Sequence, residues 1–368
     1  MRSRVRVAMI GMGRWGTRVH LATLAERDGV DIVAIADPHA PDLRFMAEQH
    51  GIAHTYRDAY ALLDEVRDLD AVVVVTPTDT HRDICLAAFH RGLHVFCEKP
   101  LAYDVAQARE MADAARANGL ITKMGFNFRY SPVIQRMKQL IDGGSIGKLH
   151  LFESLTVNHQ FIDPERPRHW KMERARANGG VFVEYGCHSI DLALWLGGPI
   201  TRVVAHGMTL IPERPLEEGG RGPVDADDAA SWIAVYERGG EALFRTGWAS
   251  VPIGGGGLRV YGSRGSMAWQ LDPTTRRSEK LLARTVEDPE PRVLLEFAPS
   301  FDARFDEPPY PIGLIARYSA RLMEAFLSDL RQGRPSSPDF EDGLAAQHVL
   351  AAIRTSLDEG RWAKVERG

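Results

Sequence analysis

Short apolar runs alternate with amphipathic stretches over the first third of the chain. Val5–Ile10, Ile32–Ala36, Ala71–Val75 and Val95–Cys97 are brief, rich in β-branched residues and bounded by Gly, Asp or Pro, which predicts buried strands of a parallel sheet. The spacing between them predicts helices over Arg14–Arg27, Pro41–His50, His81–Arg91 and Asp104–Asn118, the last closed by Gly119. Leu120–Phe126 supplies a final strand. Strands and helices in alternation make a doubly wound α/β domain. After Arg129 the pattern changes. Ser131–Pro132 reads as an N-cap followed by proline at the first helical position, opening a helix that stops at Gly143–Gly144. Leu149–Thr156, Ala229–Tyr236, Ala242–Ala249 and Leu258–Tyr261 then predict a large open antiparallel or mixed sheet. Pro212–Asp228 and Asp272–Pro311, the latter containing Pro308–Pro309, read as loops. Two helical patterns, Leu314–Leu330 and Gly343–Glu359, close the chain, and the change of pattern divides it into domains 1–126 and 127–368.

Composition narrows the functional class. A chain of 368 residues, 44% hydrophobic and 26% charged, exceeds one ordinary domain. Its net charge of −4 and pI near 6.4 give no electrostatic reason to favour nucleic acid or an anionic membrane, so a small-molecule partner is expected. Cys85, Cys97 and Cys187 are odd in number and lack C-x-x-C spacing, which argues against a disulfide framework and fits a reducing cytoplasm. The basic N-terminal MRSRVRVAMIGMG runs into a glycine turn rather than a cleavage site, and no stretch is long and apolar enough to span a membrane.

Gly11-Met12-Gly13-Arg14-Trp15-Gly16 follows the first strand and opens a helix. One glycine allows the tight turn, one lets backbone N–H groups approach a pyrophosphate, and one brings helix and strand together. Asp37 ends the second strand, where a carboxylate binds the hydroxyls of an adenosine ribose and repels a 2′-phosphate. Pro38-His39-Ala40 supplies no arginine to receive such a phosphate, so NAD is the expected cofactor; Asp37 also reads as an ordinary turn start before Pro38. Thr76, Pro77, Thr78 and His81 lie past the carboxyl end of Ala71–Val75, facing the ligand crevice of an open sheet or forming a turn with Thr80 as helix cap. Glu98 and Lys99 end the next strand in the same way, although a lysine is by default a solvated charge.

GMGRWG, TPTDTH, CEKPLA, GFNFRYSP and GGVFVEYGCHSIDLALWLGG, in that order, resemble the glucose-fructose oxidoreductase / inositol dehydrogenase / rhizopine-catabolism (Gfo/Idh/MocA) family. The resemblance extends to GSRGSM and DGLAAQHVLAAI, nearly the whole chain. It implies a Rossmann domain followed by an α/β domain with a large open mixed sheet, commonly the face of a homodimer or homotetramer. It also implies oxidation or reduction of a secondary alcohol on a sugar, cyclitol, glycoside or related polyol. On that resemblance Lys99 and His188 are catalytic and Glu98 approaches the nicotinamide ribose. Glu184 stands where most members carry aspartate.

On a helix, Glu184, His188 and Asp191 share one face, either as a catalytic stripe or as a buried polar one. Removing a hydride from CH–OH requires a base near the hydroxyl. Imidazole titrates near working pH while lysine stays protonated. His188 is therefore read as the acid/base, Lys99 as a donor to developing alkoxide charge, and Glu184 as the group that orients the imidazole. Asn127, Arg129, Trp170 and Lys171 are candidate substrate contacts, the two basic residues reading equally well as salt-bridge partners. Cys187 beside His188 lacks companion zinc ligands in the local sequence, so no metal is expected. Besides a dehydrogenase, an NAD-dependent glycoside-cleaving enzyme and a non-catalytic NAD-binding regulator fit these motifs.

Overall fold

The computed structural model describes residues 4–253, 256–272, 277–306 and 313–366. They cluster into two units: the described residues of Met1–Asn127 with Phe301–Leu344, and those of Phe128–Ser300 with Ala345–Gly368. The described residues of 301–344, which the sequence pattern places in the second domain, cluster with the first unit.

In the first unit, β1 (Val5–Ile10), β2 (Val30–Ala36), β3 (His54–Tyr56), β4 (Ala71–Val74), β5 (His94–Cys97) and β6 (Thr122–Met124) form a parallel sheet in the order β3-β2-β1-β4-β5-β6. Strand order reverses at β1, so the carboxyl ends of β1 and β4 flank the switch point where open α/β sheets take ligands. Continuous apolar runs suit central strands covered on both faces, and Val7, Ala8, Met9, Val72, Val73, Val95 and Phe96 are fully buried. The pattern missed β3 and the helix Ala59–Glu65. A three-residue edge strand reading His-Thr-Tyr carries no apolar run, and the helix is signalled mainly by Asp58, whose carboxylate accepts the N–H of Ala61 at 2.7 Å. The helix Gly313–Gln332 packs on the segment after the glycine turn and on β1. Lys123 on β6, fully buried, meets Asp329 at 2.6 Å and so ties the sheet to that helix.

The second unit is built on nine strands, β7 (Leu149–Val157), β8 (Ile200–Met208), β11 (Ala229–Tyr236), β12 (Glu241–Gly247), β13 (Gly257–Gly262), β14 (Gly265–Leu271), β15 (Glu279–Thr285), β16 (Arg292–Phe297) and β17 (Ala363–Lys364). Their order is β16-β15-β14-β13-β7-β12-β11-β8-β17, and β7 with β12 is the parallel pair in an otherwise antiparallel ladder. The sheet is thus mixed, as the family resemblance implied. Both expected loops need correction. Pro212–Asp228 contains the ribbon β9 (Glu213–Pro215) and β10 (Arg221–Pro223), and Asp272–Pro311 contains β15, β16 and the short helix Ala303–Asp306. Pro308–Pro309 lies outside the described residues. The ribbon strands are proline-bearing triplets without alternation. They are held by Arg214, fully buried, whose guanidinium donates to the carbonyls of Phe161 and Asp163 at 2.5 and 2.6 Å.

The helix Pro132–Asp142 starts as predicted: the Ser131 hydroxyl accepts the N–H of Ile134 at 3.1 Å and Pro132 occupies the first turn. The helix Gly186–Gly197 lies on the sheet through its glycines. A Cβ at Gly186 would stand 2.8 Å from the Trp232 ring, and one at Gly197 2.5 Å from Tyr236. Ser189 on that helix meets Ser154 on β7 at 2.8 Å. No helix among the described residues is long and apolar enough to cross a membrane.

Candidate active site

The glycine turn leaves β1 at the carboxyl edge of the parallel sheet. Gly11 has φ +98°, and a Cβ there would stand 2.4 Å from the Val75 carbonyl oxygen. One at Gly16 would stand 2.2 Å from the Gly11 carbonyl oxygen, so the helix touches the turn itself. At Gly13 a Cβ would meet nothing within 4 Å; the close packing at the two flanking glycines and the open space at the middle one fit a diphosphate laid across the turn. The helix begins at exposed Arg14 and half-buried Trp15, winds as a π-helix over Gly16–Leu21 and ends at Leu24, short of the expected Arg27. Asp37, at the end of β2, accepts the Met12 N–H at 2.7 Å. It also accepts the N–H groups of His39 and Ala40 at 2.7 and 2.9 Å, and so closes the turn that follows β2.

Thr76 and Pro77 follow β4, and Thr78 begins a 3-10 turn. Thr80 Oγ1 lies 2.7 Å from both Thr76 Oγ1 and Pro77 O. His81 is placed otherwise than its candidate role as a cofactor contact suggests. It is 1% exposed, with Nε2 3.0 Å from Thr76 O and Nδ1 3.0 and 3.2 Å from the carbonyls of Pro100 and Leu101. Burial lowers its pKa against carbonyls that favour the charged ring. The imidazole therefore pins the Thr76 turn to the backbone just beyond Lys99.

Glu98 is the hub of this edge. Its Oε1 accepts Trp15 Nε1–H at 2.9 Å and lies 2.8 Å from His20 Nε2, while Oε2 accepts the backbone N–H of Lys99 at 3.1 Å. Gly125 leaves room for the carboxylate, since a Cβ there would sit 2.8 Å from Oε2. The glycine-turn helix is thereby tied to half-buried Lys99. Nothing in the sequence pattern marked His20, whose role depends on a partner 78 positions away. Burial alone would raise the Glu98 pKa, but the hydrogen bond and charge of His20 and the charge and N–H of Lys99 outweigh it and hold the carboxyl at about 2, against an ordinary 4.5. A folded-state pKa below the unfolded one gives stability that is complete above about pH 4.5 and lost as pH falls through about 2, worth about 3 kcal/mol. In acid titrations followed by circular dichroism, the wild type is expected to lose about that much more stability than Glu98→Gln between about pH 5 and pH 2. Parallel curves for the two proteins would show that the clamp does not hold the carboxylate.

In the second unit, Glu184 closes the short helix Val181–Glu184, and after Tyr185 the next helix carries His188 and Asp191. The Glu184 carboxylate, 3% exposed, accepts Lys171 Nζ at 2.5 Å. Lys171 stands on the 3-10 turn Trp170–Met172, its ammonium 5.4 Å from the Trp170 ring centroid. The half-buried His188 ring meets Phe128 edge-on at 5.0 Å, and Phe128 meets Trp269 at 5.8 Å. Arg129 next to Phe128 is 4% exposed; Nε and Nη2 donate to the two oxygens of Asp191 at 3.0 and 2.5 Å. The fork makes Arg129 a brace of the His188 helix. Asn127 falls in the first unit, where its amide donates to Ser319 Oγ at 2.8 Å. His169 escaped the sequence reading. Burial first, then the positive charge of Lys171, pushes its pKa down to about 4, although Glu184 pulls the other way. Cys187 donates its S–H to the Glu184 carbonyl at 3.6 Å, and among the described residues no cluster of His, Cys, Asp and Glu could hold a metal.

A glycine turn at a helix start, an acidic residue ending β2 and a lysine past β5, all on one carboxyl edge, define a dinucleotide-binding oxidoreductase domain. Residues 5–126 match the oxidoreductase family with NAD-binding Rossmann fold, Gfo/Idh/MocA, and residues 134–268 match the C-terminal domain of the same family. The chain belongs to the Gfo/Idh/MocA family of NAD-binding oxidoreductases. It is 28% identical to myo-inositol 2-dehydrogenase of Thermotoga maritima, over 98% of this chain and 99% of that one. To levoglucosan dehydrogenase of Pseudarthrobacter phenanthrenivorans it is 27% identical, over 87% and 85% respectively. The solved structure of an oxidoreductase domain protein from Kribbella flavida superposes with a TM-score of 0.86 at 26% identity, covering 100% of both chains.

Proposed function

We propose that the protein is a cytoplasmic dehydrogenase that oxidises a secondary alcohol of a sugar, cyclitol or related polyol or glycoside. Bound NAD supplies the hydride acceptor. Gly11, Met12, Gly13, Arg14, Trp15, Gly16, Asp37, Thr76, Pro77, Thr78 and Glu98 hold it, and the second unit supplies the substrate-binding and oligomerisation surfaces. His188 removes the hydroxyl proton in oxidation and returns it in reduction. Lys99 donates a hydrogen bond to the oxygen as charge develops. Glu184, gripped by Lys171, keeps the site's polar groups oriented, and Trp170 offers an aromatic face to the ring.

The observation that carries this reading is the clamp on Glu98, which sets the Lys99 backbone on the carboxyl edge that also bears Gly11 and Asp37. The named activities of the relatives, on myo-inositol and on levoglucosan, direct the substrate class. Exposed Leu155, Val293 and Leu294 on the open sheet support a homo-oligomer. The test is NAD reduction, followed by absorbance, across a panel of cyclitols, free sugars and glycosides. Turnover confined to polyhydroxylated rings is expected. NAD binding without reduction by any member would overturn the assignment, and release of aglycone without net NADH would replace oxidation by glycoside cleavage.

A further inference from the structure

Between β7 and the 3-10 turn Trp170–Met172, residues 158–169 form no strand or helix. Connections that long without structure of their own are uncommon and tend to be functional. This one is held by the ribbon β9–β10, which pairs with itself and stands apart from the nine-stranded sheet. The ribbon grips mainly backbone. Arg214 Nη2 donates to the Phe161 carbonyl at 2.5 Å, while Nη1 donates to that of Asp163 at 2.6 Å and reaches that of Arg166 at 3.4 Å. In return the Arg168 N–H donates to the Pro215 carbonyl at 2.8 Å, and its guanidinium to the Pro223 carbonyl at 3.1 Å. At the exposed rim Arg221 meets Glu165 at 3.1 Å. Arg214 is the unusual member of this set. It is fully buried, makes no ion pair among the described residues, and its Nε has no hydrogen-bond partner there. A guanidinium removed from water and paired only with carbonyls keeps part of its desolvation penalty, so folding alone does not call for it. What it supplies is a rigid fork that fixes two carbonyls of one loop at once.

The grip is transmitted to the end of the loop. Phe161, whose carbonyl Arg214 holds, packs edge-on against Trp248 at 5.1 Å and against the His169 ring at 5.8 Å. The His169 ring stands 5.6 Å from that of Trp170, and its Nδ1 accepts the Lys171 N–H at 3.4 Å. Lys171 in turn donates to Glu184. We propose that Arg214 is a positioning residue for the substrate: through the carbonyls of Phe161 and Asp163 it sets the turn that carries Trp170 and Lys171. This inference rests on the reading that the turn meets the polyol. Arg214 itself touches neither substrate nor cofactor, so its influence falls on substrate binding and leaves the hydride step alone.

The test is steady-state NAD reduction with myo-inositol and with levoglucosan, each varied at saturating NAD, in the wild type, Arg214→Met, Arg214→Lys and Arg221→Ala. Melting curves report folding, fluorescence reports NADH affinity, and hydrogen exchange reports the amides of residues 158–172. Folded Arg214→Met is expected to raise KM about 10- to 100-fold, the scale of a misplacement passed on from outside the site, with kcat and NADH affinity near wild type. Arg214→Lys keeps the charge and one donor group and should recover part of that loss, and Arg221→Ala, which breaks an exposed pair, should leave KM unchanged. A folded Arg214→Met with the wild-type KM, or with its loss carried by kcat alone, overturns the proposal. Where Arg214→Met does not fold, an unchanged KM in Arg214→Lys does so. A wild type that reduces NAD with neither polyol strikes instead at the proposed activity. Hydrogen exchange then decides the hold on the loop: faster exchange over 158–172 in an Arg214 variant but not in Arg221→Ala supports it, and equal exchange overturns it.

Discussion

Replacing His188 by alanine is expected to lower the rate of NAD reduction about 100- to 10,000-fold, the span that a positioned proton acceptor contributes, while NADH affinity measured by fluorescence stays near that of the wild type. The separation arises because the residues proposed to hold the cofactor belong to the parallel sheet, whereas His188 belongs to a helix of the other unit, with its ring edge against Phe128. The pH profile is the sharper reading. With His188 as the base, kcat/KM of the wild type should rise with pH along a limb that His188→Ala loses. Lys99→Met is expected to depress kcat by a comparable factor without removing the limb, because a group that donates a hydrogen bond to the developing charge is not the one that takes the proton. Equal turnover by wild type, Lys99→Met and His188→Ala would end the acid/base assignment.

The parts of this molecule that a sequence displays are those whose causes are local. Gly11 and Gly16 stand where a side chain would collide with neighbouring backbone, Ser131 caps its own helix three residues on, and β1, β4 and β5 announce themselves as short apolar runs. What escaped depends on partners far along the chain. The triplet β3 is too short to show a period, yet Arg57 follows it directly and donates to the Ala40 carbonyl of the Asp37 turn. Likewise β9 and β10 carry prolines that read as loop, and β9 is anchored by its own buried Arg214, which donates to the carbonyls of Phe161 and Asp163. The polar residues show the same division. His20 sits in unremarkable local sequence, and only the fold sets it on Glu98, 78 positions away. Function was legible through spacing and resemblance, whereas the grip on each functional group was not, since an ion pair such as Lys171–Glu184 is invisible until both ends share a surface.

Arg129 shows how far that difference reaches. As a substrate contact, Arg129→Met would raise KM and leave the fold alone. The structure predicts the opposite order of effects, because the guanidinium is 4% exposed, forks onto an Asp191 carboxylate that is 1% exposed, and lies 5.3 Å from the Trp195 ring centroid. Removing one partner of a buried ion pair strands the other charge in a medium that solvates it poorly, at a cost of about 3–5 kcal/mol. Arg129→Met and Asp191→Leu are each expected to lower unfolding stability in urea by that order. The double variant should recover much of it, since no lone charge then remains. Asp191 lies one turn beyond His188 on the same helix, so loss of the brace also loosens the imidazole, and kcat should fall more than KM rises. A stable Arg129→Met protein with only a raised KM would return the arginine to the substrate and remove the brace.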